Sequence, residues 1–254
     1  MSLKLLLSGL AGSLLLSACS VYAPTVPATP LLTQGQVQVS AGLRGLNSLE
    51  LGAAWAPTRH LLLSAESGFQ SSTTTTTINN VTASYDDFHR QVSLGAGYYR
   101  AAPSGWYLAA LGGAGYASTQ LHSVDVGLLY ILPIPIISGQ YEARYFRYYG
   151  QVYAALPAQG VATLGFSLRN TYVDYMRLAL DGTSVEPAAH FFAEPSLFAK
   201  LGTGPVQALG TVGLSLPWHR DAGSPFASET ALTSSLVGLT LLFRPDLLRG
   251  RHQQ

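Results

Sequence analysis

The chain has one cysteine, two lysines and little charge of either sign. Cys19 is the single cysteine in 254 residues, which excludes an internal disulfide and a Cys/His cluster with metal-ligand spacing. Lys4 and Lys200 are the only lysines, and 11% of residues are charged, against about 25% in an ordinary soluble domain. The formal net charge is +1, too small a field to steer nucleic acid or an acidic ligand. Beyond the first twenty residues no apolar run reaches the roughly 20 residues of a spanning helix. Histidines 60, 89, 122, 190, 219 and 252 are scattered, with no His-x-x-x-His pair, and no Gly-x-Ser-x-Gly elbow is present. No metal, cofactor or enzyme activity is expected from this pattern. Present instead are 48% hydrophobic residues, 26 Gly and 14 Tyr. Apolar surface that forms neither a spanning helix nor a plain core has to alternate, and barrels alternate.

The amino terminus reads as an export signal. One positive residue, Lys4, precedes an apolar stretch from Leu5 to Leu16, too short to cross a bilayer. It closes on Leu16-Ser17-Ala18-Cys19, which resembles the lipobox of bacterial lipoproteins. That resemblance implies lipidation of the Cys19 thiol as a diacylglyceryl thioether, cleavage before Cys19 and acylation of the new amine. The competing reading is an ordinary secretory signal with a chance cysteine. Residues 1–18 are thus the expected signal peptide, and the mature chain balances 13 basic against 13 acidic residues once Lys4 is gone. Ser20, where the enterobacterial sorting rule would place an inner-membrane-retaining Asp, favours the outer membrane of a Gram-negative bacterium. Pro24, Pro27 and Pro30 recur every three residues, a spacing suited to polyproline II at about 3.1 Å per residue. Residues 19–33 are therefore expected to form a lipid anchor and an extended tether of about 40 Å.

From Gln34 to Phe243 ten stretches show period-2 character: about 34–43, 48–56, 60–70, 88–100, 105–120, 140–155, 160–180, 190–201, 205–216 and 230–243. In the fourth, Phe88, Val92, Leu94, Ala96 and Tyr98 oppose His89, Gln91, Ser93, Gly95, Gly97 and Tyr99, with Arg90 the exception. In the seventh, Leu164, Phe166 and Leu168 oppose Ser167, Arg169 and Thr171, and in the eighth Phe191, Leu197 and Leu201 oppose Glu194, Ser196 and Lys200. The polar faces are rich in Gly and Ser with isolated charges, unlike solvated faces of soluble sheets. Trp106 and Tyr116 stand ten residues apart on one face of the fifth stretch, as aromatic girdles do at the two interfaces of a membrane barrel. Two core aromatics would give the same spacing. Short turns near 57–59, 101–104, 156–159 and 202–204 alternate with long connections near 71–87, 121–139, 181–189 and 217–229. The expected fold is all-β: a closed antiparallel up-and-down transmembrane β-barrel of about ten strands over residues 34–243, with a carboxy-terminal tail at 244–254.

The lipobox, the Pro-rich segment, Gly35-Gln36-Val37-Gln38 and Glu194-Pro195-Ser196-Leu197 together resemble bacterial lipoproteins with a small outer-membrane barrel of the OmpA/OmpX type. Such barrels usually end on an aromatic residue read by the assembly machinery; here eleven residues follow Phe243. The partners this implies are outer-membrane lipid and, during insertion, the barrel-assembly machinery, with no nucleic acid. Glu50, Glu66 and Glu194 are expected in the lumen with Arg44, Arg147, Arg169 and Lys200, either as a polar channel or as an ion-pair network plugging a narrow barrel. The plug is favoured. Gly95-Ala96-Gly97 and Gly112-Gly113-Ala114-Gly115 suggest a nucleotide loop less than curvature or close packing inside strands. The run Ser71–Thr77 reads as a polar outward loop, and Val126–Ile137 as an apolar loop interrupted by Pro133 and Pro135. The function expected is structural, interaction or surface sensing. The alternatives are a lipid-tethered periplasmic, lipocalin-like barrel with the apolar rows inside around a small ligand, and a barrel enzyme acting on lipid.

Overall fold

A computed structural model describes residues 21–45, 48–78, 81–121, 140–157, 161–186, 189–219 and 233–249. The alternating stretches pair as strands in sequence order. These are β1 (Val37–Arg44), β2 (Ser48–Trp55), β3 (Leu61–Ile78), β4 (Val81–Ala101), β5 (Tyr107–Leu121) and β6 (Tyr141–Pro157). They continue through β7 (Ala162–Leu180), the two-residue β8 (Thr183–Ser184), β9 (His190–Leu201), β10 (Val206–His219) and β11 (Ser234–Phe243). Each long strand is antiparallel to its neighbours, and β11 pairs back onto β1 from Val39↔Phe243 to Arg44↔Gly238, closing the sheet. β8 only extends the tip of β7. The wall is a closed barrel of ten strands, as the periodicity predicts. Closure removes every exposed strand edge.

One mouth of the barrel, the terminal mouth, holds the short turns, the start of β1 and the end of β11. The other, the hairpin mouth, holds the short β1–β2 and β3–β4 connections and the longer ones after β5, β7 and β10. The longest hairpin corrects the expected loop at 71–87. β3 and β4 stay paired from Leu61↔Tyr98 out to Ile78↔Val81, so Ser71–Thr77 lies in strand. Threonine is β-branched and fits an extended backbone at least as well as a loop; a run of it marks polarity, not irregularity. At the other end of the chain, β10 likewise runs three residues past its expected end, to His219. The Val126–Ile137 segment lies outside the described residues. A short helix, α1 (Asp246–Arg249), follows β11. There the Arg244 guanidinium donates to both Asp246 carboxylate oxygens, at 2.9 and 2.7 Å, and holds that carboxyl below the usual aspartate range.

The two faces of the wall part cleanly. Leu51, Leu94, Leu108, Val152, Leu164, Leu197, Val212, Leu239 and Leu241 point outward and are exposed, Leu94 by 67% and Leu239 by 66%. Outward aromatics gather in two bands. Trp55, Tyr98, Trp106 and Phe243 lie at the terminal mouth, and Phe69, Phe146, Tyr148, Phe191 and Trp218 toward the hairpin mouth. Tyr116 joins the second band edge-on to Phe146, with ring centroids 5.9 Å apart. Trp106 precedes β5 by one residue instead of lying within it, yet still faces out. Ten residues of a strand tilted by about 40° rise roughly 25 Å, the height of the apolar belt of membrane barrels. Outward charges sit at or beyond the bands. Arg90, stacked on Phe88 at 5.3 Å, and Arg144 lie toward the hairpin mouth, and Arg100 at the terminal one.

Candidate functional site: a lumen filled by the chain's own amino terminus

The interior is organised around a segment that was expected outside it. Residues 21–33 run through the lumen instead of forming a free tether: Val21, Tyr22, Thr25, Val26, Thr29 and Leu32 are all buried. Polyproline II leaves its backbone groups unpaired, which suits a solvated tether and equally a segment whose partners come from a surrounding wall. Here the wall supplies them. Val26 N–H donates to Glu50 at 3.2 Å, Ala28 N–H to Glu66 at 3.3 Å and Leu32 N–H to the Tyr107 hydroxyl at 3.4 Å. The Ala28 carbonyl accepts from Gln151 at 2.9 Å and the Pro30 carbonyl from the Tyr153 hydroxyl at 2.6 Å. A turn then reverses the chain into β1. Gln36 N–H donates to the Thr33 carbonyl at 3.1 Å, and Gly35 adopts φ +80°, a conformation that favours glycine.

At mid-height lies the ionic layer. Strand register sets Glu66, Ser93, Gly115 and Arg147 side by side across β3 to β6. Glu66 bridges two arginines, at 3.3 Å to Arg147 and 2.6 Å to Arg169, both almost fully buried. Arg169 also donates to Gln151 Oε1 at 2.7 Å, and both guanidiniums donate to Thr25 Oγ1 of the threaded segment at 3.1 Å. Tyr149 lies beneath them, its ring 4.5 Å from the Arg169 guanidinium carbon and 5.7 Å from that of Arg147. Gly95 and Gly113 make that possible: a Cβ on either would run into the Tyr149 side chain. The glycine clusters therefore serve close packing, as expected, and hold no phosphate cradle.

Glu194 is satisfied differently from Glu66. The Tyr22 hydroxyl donates to it at 2.8 Å, Thr171 at 3.1 Å and Ser215 at 3.2 Å, in the field of Arg169 and Arg147. Glu50 pairs with Arg44 at 3.1 Å nearer the hairpin mouth, partly exposed. Lys200 faces inward on β9 close to the terminal mouth, outside the Glu66 network. Of the residues singled out in the sequence, Glu66, Arg147 and Arg169 thus form one cluster, Glu194 flanks it, and Glu50 with Arg44 forms a separate pair. Thr25, Gln151 and Tyr22 were missed. Tyr149 belongs to the tyrosine-rich sixth stretch (Tyr141, Tyr145, Tyr148, Tyr149, Tyr153), which fits an interface or a lumen lining from the sequence; Tyr141, Tyr145, Tyr149 and Tyr153 share the inward parity of Arg147, and Tyr148 faces out.

Apolar layers seal the ionic one on both sides. Toward the terminal mouth Leu32 packs with Ala54, Leu62, Tyr99, Tyr107, Tyr153 and Leu242. Toward the hairpin mouth Val21 and Tyr22 pack with Leu121, Tyr141, Tyr145, Tyr175, Leu178 and Phe192. Tyr22 lies against Phe192 at 4.4 Å between centroids. A space of about 50 Å³ remains beside the segment, lined by Thr25, Val26, Ala28, Glu50, Glu66 and Thr240. That holds a few waters. It is no ligand chamber, and the lipocalin-like alternative also fails on the faces: its apolar rows would have to point inward, and they point out.

No protein-family model matches the chain, and no curated protein does. Among solved structures, an outer membrane channel from Pseudomonas putida F1 is similar at 12% identity over 86% of this chain and all of that one, with a TM-score of 0.48. The barrel assignment rests on the strand pairing of the chain itself.

Proposed function

We propose that this chain is a lipid-anchored integral barrel of the outer membrane, closed to ions by its own amino-terminal segment, with a structural, interaction or surface-sensing role and no catalysis. One observation carries the reading. The exposed wall between the two aromatic bands is uncharged and, Asn170 on β7 apart, predominantly apolar, while every buried charge described here lies inside and is held by polar partners. In water that wall would expose far more contiguous apolar surface than a monomeric soluble protein tolerates. In hydrocarbon the same wall is solvated correctly, and closure satisfies the backbone without an edge. The filled lumen supports a plug over a pore.

Extraction and conductance test this together. An integral barrel stays in the membrane pellet through alkaline carbonate and changes electrophoretic mobility on heating after mild detergent. In planar bilayers the full mature chain is expected to leave the baseline flat. Release by carbonate removes the membrane reading, whereas steady single-channel steps from a retained barrel remove the plug and keep the membrane.

A further inference from the structure

The threaded segment has a direction, and the direction has a consequence for topology. It leaves the β1 turn at the terminal mouth, where Gly35 N–H bonds the Ala56 carbonyl at 2.7 Å and Leu32 sits among Ala54, Ala56 and Leu62. Traced backward, its partners climb the lumen: Tyr107 and Tyr153 first, then Gln151 and Glu66, then Arg147 and Arg169 at Thr25. Tyr145 at Ala23 and Glu194 at Tyr22 follow. Val21 ends in the cluster that contains Leu121, the last residue of β5, and Tyr141, the first of β6. Tyr141 stands five residues beyond the band residue Phe146 on β6, about 13 Å up a tilted strand. The described segment therefore crosses the ionic layer and reaches the level of the second aromatic band, on the hairpin-mouth side of the lumen.

Resting on the membrane-barrel reading above, we propose that the mature amino terminus exits at the hairpin mouth, so that the two ends of the mature chain lie on opposite sides of the outer membrane. The lipid on Cys19 then inserts in the outward-facing leaflet. Cys19 lies two residues before Val21, a reach of at most ~7 Å, and regaining the terminal mouth means descending roughly 25 Å. Beside residues 25–29 the remaining space admits only a few waters. Acyl chains cannot be drawn through such a lumen. The segment must be laid along the inner wall while the sheet is open, and pairing of β1 with β11 shuts the barrel around it. An anchor near the carboxy terminus would hold the protein to the periplasmic face; this one holds it to the cell surface.

The test compares one epitope at two places in the full chain, inserted between Ser20 and Val21 or appended after Gln254. In intact cells antibody is expected to label the first and not the second, which becomes labelled only after the outer membrane is permeabilised. Labelling of the Ser20 insertion only after permeabilisation, in a protein that still resists carbonate, overturns the threading and leaves the barrel standing. Release by carbonate takes down both.

An insertion can dislodge the segment, so a cysteine pair reports on it independently. A Cβ built on Gly238 falls 3.5 Å from the Val26 Cβ, within the range a disulfide requires. The double variant Val26→Cys with Gly238→Cys is expected to cross-link during export and to migrate differently with and without reductant. Free thiols at both positions in a heat-modifiable barrel contradict occupancy of the lumen.

Discussion

Glu66 is the residue on which the interior turns. It is the carboxylate between two buried guanidiniums, and its removal takes away the ion pair each of them makes. Breaking a buried ion pair by deleting one partner costs about 3–5 kcal/mol. Glu66→Gln is therefore expected to lower the temperature at which the compact band converts on heating, and to do so far more than Glu50→Gln. The Arg44–Glu50 pair keeps 14% of each side chain exposed and engages a single arginine, so its loss is expected to cost less than that of Glu66. Equal shifts from the two variants would mean that the ionic layer is solvated. Composition and parity made Glu66, Arg147 and Arg169 legible as lumenal, because an isolated charge on a Gly- and Ser-rich face has nowhere else to go. Their mutual pairing was not legible. It depends on the register between β3 and β6 and on Thr25, which belongs to no strand.

At the scale of the element, the wall strands and the threaded segment teach opposite lessons. Every expected strand is present because the side-chain period of 2 is written along each one. Their ends were missed where polar β-branched residues look like loop, as in Ser71–Thr77. The segment 21–33 was misplaced for a physical reason: a proline-spaced chain has the same backbone whether water or a barrel surrounds it. Its apolar members, Val21, Tyr22, Val26 and Leu32, were the overlooked sign, since a solvated tether has no use for them. For the wall itself the sharpest substitution is Leu94→Arg, at the middle of the outer face of β4. In lipid it is expected to destabilise the barrel by about 2–4 kcal/mol, read as a lowered denaturant midpoint in a refolding titration with vesicles. On a water-facing surface the same change would stay within about 0.5 kcal/mol.

For the whole molecule, the closed wall, the two aromatic bands and the filled lumen describe one object: a barrel with residues 21–33 of its own chain threaded through it, which on the proposed function is a membrane plug. The three tryptophans test that picture directly, because Trp55, Trp106 and Trp218 all point outward from the two bands. In vesicles of lipid brominated near the headgroup, their fluorescence is expected to be strongly quenched, more than by lipid brominated at the chain ends, while iodide in the buffer has little effect. Full quenching by iodide with none from either brominated lipid would put water, not hydrocarbon, against the outer wall.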